Sequence, residues 1–239
     1  MRLSTGSTFV AEIRLQFEAA ADSRIAPEMA RYMKNVAPFI GLKTPERRAA
    51  LKPILQTLGQ PSADDLFALV NELYEQPERE FKYAACDILA RFNKLIPADW
   101  MDTHIRRWLV TEPWWDTIDS LVNAAIAPVT ARDASLEPTM YAWLTSEEMW
   151  LQRAAIGHQR GRKANTDVPL QLRYCEQVAT DSRFFIAKAI GWALRDLAAV
   201  DLAATKDFVA KHPQLPRVAA REAIRGIERA ELRAQAMAK

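Results

Sequence analysis

Glycine is scarce in this chain, 7 of 239 residues, and neither GxGxxG nor GxxxxGK[ST] occurs. A phosphate-cradling loop needs such glycines to bring backbone N–H groups close to its ligand, so ATP and NAD chemistry are not indicated. Cysteine is scarcer. Cys86 and Cys175 stand far apart with no CxxC partner and no His/Cys cluster, so both read as small buried hydrophobes, not as a disulfide or a metal site. Neither lies beside a histidine or in a basic cluster that would lower its pKa and activate it as a nucleophile. The three histidines, His104, His158 and His212, lack the HxD spacing of a two-histidine, one-carboxylate iron site. No metal and no cofactor are therefore expected. No apolar run approaches the roughly 18 residues needed to span a membrane, and Glu12 and Arg14 break the N-terminal stretch before a signal-peptide core can form. The expected location is the cytoplasm, with no membrane partner. One-signed charge is also missing: the net charge is only +2, so a polyanionic partner would require the basic residues to gather on one surface.

What the chain does have is a 3.6-residue apolar period, with almost no β-alternation, and recurring helix punctuation. Thr44-Pro45-Glu46 reads as an N-cap, a proline at the first helical position and an early acid, with Gly59 closing the segment. Ser62 and Asp65 read as a capping box. Short breaks recur near 97–99, 111–113, 145–146, 165–167, 180–182 and 212–213. A small-residue tetrad repeats along the chain: Arg48 to Leu51, Tyr83 to Cys86, Asn123 to Ile126, Arg153 to Ile156, Ala187 to Ile190 and Arg221 to Ile224. Its last positions are spaced 35, 40, 30, 34 and 34 residues apart. Periods of this size mark stacked helix pairs, in which small residues allow close helix approach and an aliphatic one fills the shared core. The predicted fold is all-α, a HEAT-like repeat α-solenoid with a concave inner face, forming a single domain over residues 1–239. Independent helices in a compact bundle would give a looser version of the same pattern.

The tetrads place unusual residues at matching heights. In WWDTIDSL, Trp115 and Asp119 are four apart, so a helix projects ring and carboxylate from one face. Trp150 and Arg153 lie at the fourth tetrad. In FFIAKAIGWALRD, Phe185, Lys188, Trp192 and Arg195 fall at i, i+3, i+7 and i+10, one stripe of rings and cations. Alternating aromatic and basic groups suit a nucleic-acid backbone and its sugars. Each residue also has an ordinary reading: a tryptophan at helical spacing is usually core, an arginine near a helix end is often a local partner, and an acid is often merely solvated. An anion in a groove that gathers cations would repel phosphate, however, and so calls for a purpose.

The stretches MARYMKN (29–35), GLKTPERR (41–48), QPERE (76–80), WWDTIDS (114–120), WLQRAAI (150–156) and FFIAKAIGWALR (184–195) resemble the AlkD-type DNA alkylation repair glycosylases, and the later PRVAAREAIRGI is similar too. The resemblance implies HEAT-like repeats that wrap duplex DNA and excise cationic alkylated purines such as 3-methyladenine and 7-methylguanine, for base excision repair. Carried over by motif, Asp119 is the catalytic acid, Trp115 and Trp192 flank the lesion's deoxyribose, Arg153 is a nearby basic helper and Tyr32 is a DNA contact. Lys34, Arg48, Lys188 and Arg195, with Trp150 and Phe185, complete the expected DNA-binding set. The expected partner is double-stranded DNA containing alkylated bases, met by a monomer that is nucleoid-associated when acting.

One carboxylate is enough for such a substrate. A cationic purine leaves as a neutral base without protonation, so only the developing charge on the sugar needs stabilising. No lysine near the Trp-Asp cluster stands out as a Schiff-base nucleophile, so lyase activity is not expected. Base flipping is not expected either. The alternative reading is a non-catalytic HEAT-like DNA-binding module, with a protein-interaction scaffold as a third. Asp116 and Asp119 remain alternatives for the working carboxylate, distinguished only by the motif and by the link from Trp115 to Asp119.

Overall fold

The computed structural model describes residues 6–237, so the first five residues of the N-terminal stretch discussed above lie outside the described residues. The described residues are all-helical, with no strand. The chain resolves into two compact units, the first running to Ala125 and the second beginning at Ile126.

The first unit contains α1 (Gly6–Ala20), α2 (Ala26–Tyr32), α3 (Thr44–Thr57), α4 (Ala63–Tyr74), α5 (Arg79–Arg91), α6 (Arg106–Val110) and α7 (Trp115–Leu121). Helix α5 packs against both α3 and α7, while α1 covers α3 and α4, and α4 backs α5. The second unit contains α8 (Ala127–Arg132), α9 (Glu137–Leu144), α10 (Met149–Ile156), α11 (Val168–Gln177), α12 (Phe184–Ala198), α13 (Leu202–Lys211) and α14 (Arg217–Met237). Here α10, α12 and α14 pack in succession, with α9 against α10, α11 against α12, and α13 against α12 and α14. Stacked helix pairs of this kind are the HEAT-like arrangement, in which each pair buries its apolar face on the next.

The middle tetrads sit where this packing needs them, whereas Ala49 of the first and Ile224 of the last are exposed, the latter because no further described repeat covers the outward face of α14. Ala84, Ala85, Ala154 and Ala155 are wholly buried, and so in effect is Ala187. Closest approach is reached between α12 and α14. A Cβ on Gly191 would lie 2.8 Å from Glu222 Cβ, and one on Gly226 would lie 2.6 Å from Arg195 Cα, so each glycine admits the other helix's backbone. The third tetrad is wound differently: Val122–Ile126 is a π-helical turn directly after α7, the kind of local insertion that often marks functional helices.

Caps end the helices much as their side chains dictate. Ser62 and Asp65 form a reciprocal capping box on α4, while Asp167 and Asp201 accept the N–H groups of Leu170 and Ala204 at 2.9 Å each. One boundary differs from expectation. The N-cap of α3 is Lys43, with no side-chain cap, and Thr44 is already helical. Proline is tolerated throughout the first turn, where no N–H is needed, so it does not fix the start to one residue.

Candidate active site

In the first unit, the turn after α2, the loop 38–43, the first turn of α3 and the inner face of α7 enclose a pocket of about 570 Å³. Its walls include Tyr32, Phe39, Arg48, Tyr83, Trp115, Asp116 and Asp119. Four sequence-predicted residues, Tyr32, Arg48, Trp115 and Asp119, are thereby brought to one cavity. Trp115 opens α7, with Trp114 in extended conformation before it, so only the second tryptophan shares the helix face of Asp119. Tyr32 is 71% exposed and meets Trp115 edge to face at 6.5 Å between ring centroids, a geometry that aromatic quadrupoles favour.

Tyr32 is positioned by the way α2 ends. Asn35 N–H donates to Ala30 O and Lys34 N–H to Arg31 O, at 2.7 and 3.0 Å, the paired bonds of a Schellman motif. Lys34 and Asn35 both adopt left-handed backbone, φ +60° and +57°, at a cost of about 1–2 kcal/mol for a non-glycine residue. Lys34 is exposed on this turn but does not line the pocket. The opposite wall is pinned by Glu80, wholly buried, whose carboxylate accepts the backbone N–H groups of Ile40, Gly41 and Leu42 at 3.0–3.2 Å. Gly41, at φ +93°, has no room for a side chain, since a Cβ would come within 2.0 Å of Asp22 O.

The two neighbouring acids of α7 have different environments. Asp116 is 7% exposed and accepts from Arg79 Nε at 2.9 Å, Arg79 Nη2 at 2.7 Å and the Tyr83 hydroxyl. Arg79 is completely buried and also donates to Glu112 O and Thr117 Oγ1. Burial, with Asp116 alongside, pushes the Tyr83 hydroxyl far above its ordinary pKa, so it stays protonated and keeps donating. This buried cluster ties α5 to α7 and occupies the Asp116 carboxylate. Asp119, one turn on, is half-buried on the pocket wall. Arg48 is also engaged, through Nε to Asp87 Oδ1 at 3.2 Å, yet its side chain remains 66% exposed. Neighbouring Arg47 is buried, binds Asp87 Oδ2 and lies 5.0 Å over the Tyr83 ring.

In the second unit the basic and aromatic residues converge on Trp192. Arg153 lies 5.1 Å from the ring centroid, Arg160 5.3 Å, Lys188 5.5 Å and Arg195 5.8 Å. Such contacts contribute on the order of 0.5–2 kcal/mol each. Four cations thus surround one indole, Arg153 buried and Arg160, Lys188 and Arg195 partly exposed. Carboxylates among them include Asp196, 3.5 Å from Arg195 Nε, and Glu222 of α14, which receives Lys188 Nζ and Arg195 Nη1 at 3.1 Å and Arg225 Nη1 at 3.4 Å. Burial disfavours its charge, but Lys188, Arg195 and Arg225 overcome that and hold it below the usual carboxylate pKa. Arg153 is 3% exposed and donates to Phe185 O at 2.6 Å. Trp150, expected as a DNA contact, is 7% exposed and packs on the Phe185 ring at 5.0 Å, so its geometry is that of a supporting ring.

Arg160 was not expected. It lies in the turns after α10, outside every tetrad, and no spacing links it to Trp192; only the fold does. The cysteines behave as anticipated: both are free and buried, and burial raises each thiol pKa to about 12, leaving essentially no thiolate at neutral pH. The histidines serve packing. His104 stacks on Phe67 at 3.9 Å, His158 Nδ1 meets Ala155 O and His212 stacks on Phe208.

Residues 13–227 match the family model described as DNA alkylation repair enzyme. The chain belongs to that family. A solved structure, a predicted DNA alkylation repair enzyme from Enterococcus faecalis, is 25% identical and superposes with a TM-score of 0.78, over 85% of this chain and 94% of that one. No curated protein matches the chain. Membership in the family supports a role in DNA repair with DNA as substrate, and no described helix of this member is long and apolar enough to cross a membrane.

Proposed function

We propose that the protein is a monofunctional DNA glycosylase that hydrolyses the N-glycosidic bond of cationic alkylated purines, 3-methyladenine and 7-methylguanine, in duplex DNA, without flipping the base and as a monomer. The observation that carries this reading is the convergence of Asp119, Trp115 and Tyr32 on the wall of one pocket.

The chemistry asks little of the protein beyond electrostatics. An N-alkylated purine already carries the positive charge that a general acid would otherwise have to supply, so it departs as a neutral base. As the C1′–N bond stretches, positive charge develops on the deoxyribose. Ionised Asp119 stabilises that charge and orients the water that attacks C1′, taking up its proton as the new C–O bond forms. Trp115 packs on the sugar and adds cation–π attraction of order 0.5–2 kcal/mol to its oxocarbenium character. Tyr32, Lys34, Arg48, Lys188 and Arg195 hold the phosphodiester backbone, Arg153 braces Phe185 beside the Trp192 ring, and Phe185 and Trp150 support that surface.

The test compares a cationic with a neutral lesion in otherwise identical duplexes. Release of 7-methylguanine without release of 1,N6-ethenoadenine is expected, because a neutral base needs a proton that this site has no acid to give. Comparable release of both would refute the mechanism. Tight, salt-dependent DNA binding with no release of either would leave a non-catalytic DNA-binding module.

A further inference from the structure

Helix α14 is 21 residues long and carries Arg217, Arg221, Arg225, Arg229 and Arg233, each four residues from the next and every one exposed. Successive guanidinium positions therefore step about 6 Å along the helix and rotate by about 40°, forming one winding row roughly 24 Å long. The helix's acids do not neutralise it. Of its three, Glu222 is turned inward to Lys188 and Arg195 and meets only Arg225 in the row, Glu231 pairs with Lys206, and the exposed Glu228 forms no ion pair with the row. Among the described residues, Arg217, Arg221, Arg229 and Arg233 have no carboxylate within ion-pair distance.

Folding does not account for this pattern. Like charges at i, i+4 weaken a helix, and the buried face of α14 is formed by Ala219, Glu222, Ala223 and Gly226, none of which needs the row. From Leu232 to the last described turn every residue is exposed, so the row continues onto a part of the helix that buries nothing. A chain whose net charge is only +2 concentrates five cations on one helix, continuous through Glu222 with Lys188 and Arg195.

We propose that the arginine row of α14 is a second docking surface for the phosphodiester backbone of duplex DNA. This rests on the DNA-directed reading above. A row of about 24 Å spans an axial length of duplex that carries roughly seven phosphates on each strand, at about 3.4 Å per nucleotide. Exposed guanidiniums at such spacing grip phosphates without reading sequence, so the row adds affinity and salt sensitivity, not base preference.

The experiment measures binding of the full chain to undamaged duplex by fluorescence anisotropy across a salt series. Wild type is compared with the triple variants Arg221→Gln/Arg229→Gln/Arg233→Gln and Arg221→Lys/Arg229→Lys/Arg233→Lys, each checked for native melting. The Gln variant should flatten the slope of log K against log salt by about 2.7, roughly 0.9 per lost phosphate contact, while the Lys variant keeps the wild-type slope. An unchanged slope in the Gln variant overturns the proposal. So does a Gln variant that binds duplex normally but loses affinity for anionic phosphatidylserine vesicles, which would make the row a membrane contact. Release of 7-methylguanine by the wild-type protein is scored separately. Its absence beside a flattened slope refutes the glycosylase and keeps the docking row, whereas release with an unchanged slope does the reverse.

Discussion

Replacing Asp116 by Asn should destabilise the protein far more than the same change at Asp119, three residues away. Asn is nearly isosteric, so the perturbation is loss of charge with little loss of volume. At position 116 it leaves Arg79, completely buried, facing a neutral amide where two charge-assisted bonds of 2.7 and 2.9 Å stood. Breaking a buried ion pair from one side costs about 3–5 kcal/mol, because the remaining charge keeps its desolvation penalty. The low end applies here, since the amide oxygen can still accept from Tyr83 and Arg79 retains Glu112 O and Thr117 Oγ1. For a chain of this length about 3 kcal/mol lowers Tm by roughly 6–12 °C. Asp119 is more exposed than Asp116, so solvent screens more of what its charge contributes and its change to Asn should cost less. Thermal and urea unfolding of both variants, run beside 7-methylguanine release, separate the roles. The reasoning fails if Asp116→Asn melts like wild type and has lost excision, for then Asp116 is the working carboxylate and Asp119 a bystander.

Three further outcomes follow from particular contacts. Burial lowers the His158 pKa to about 4 against an ordinary value near 6.5, so the imidazole is neutral in the folded state and protonates on unfolding. Its contribution to stability is complete above about pH 6.5 and is lost as pH falls towards 4, amounting to about 2 kcal/mol between pH 7 and 5; a His158→Phe variant should show a shallower loss in that window, and identical pH profiles would dismiss the linkage. Glu80→Gln exchanges a carboxylate serving three buried N–H groups for an amide with one oxygen, which should cost about 2–4 kcal/mol and weaken substrate binding through the loop that carries Phe39 and Lys43; native stability in urea would show that the loop holds without it. Arg160→Ala should flatten the salt dependence of duplex binding by about 0.9, and an unaltered slope would make Arg160 a packing partner of Trp192 only.

The parts legible in the sequence are the periodic and local ones. Tetrads at intervals near 34 residues announce stacked helix pairs because the same steric demand recurs in every repeat, and the Ser62–Asp65 box is readable because both partners lie within one turn. The link from Trp115 to Asp119 is likewise one helical step, and the stripe from Phe185 to Arg195 lies on a single helix. What stayed hidden depends on partners distant in sequence. Asp116 and Asp119 look alike until Arg79, 37 residues away, claims one of them. The buried Glu80 carboxylate is intelligible only once the chain 40 residues earlier folds back over it. Arg160 reaches Trp192 through tertiary packing, and Trp150 is covered by Phe185 from α12; a 3.6-residue period shows that a ring faces inward but not whether a neighbouring helix or a ligand lies opposite.

Single-turnover release of 7-methylguanine from a methylated duplex, with wild type, Asp119→Asn and Asp116→Asn brought to equal DNA occupancy, decides whether Asp119 is the working carboxylate. Release by wild type and by folded Asp116→Asn, with loss confined to Asp119→Asn, is the predicted result. Undiminished release by Asp119→Asn would contradict the assignment of the carboxylate and, with it, the mechanism.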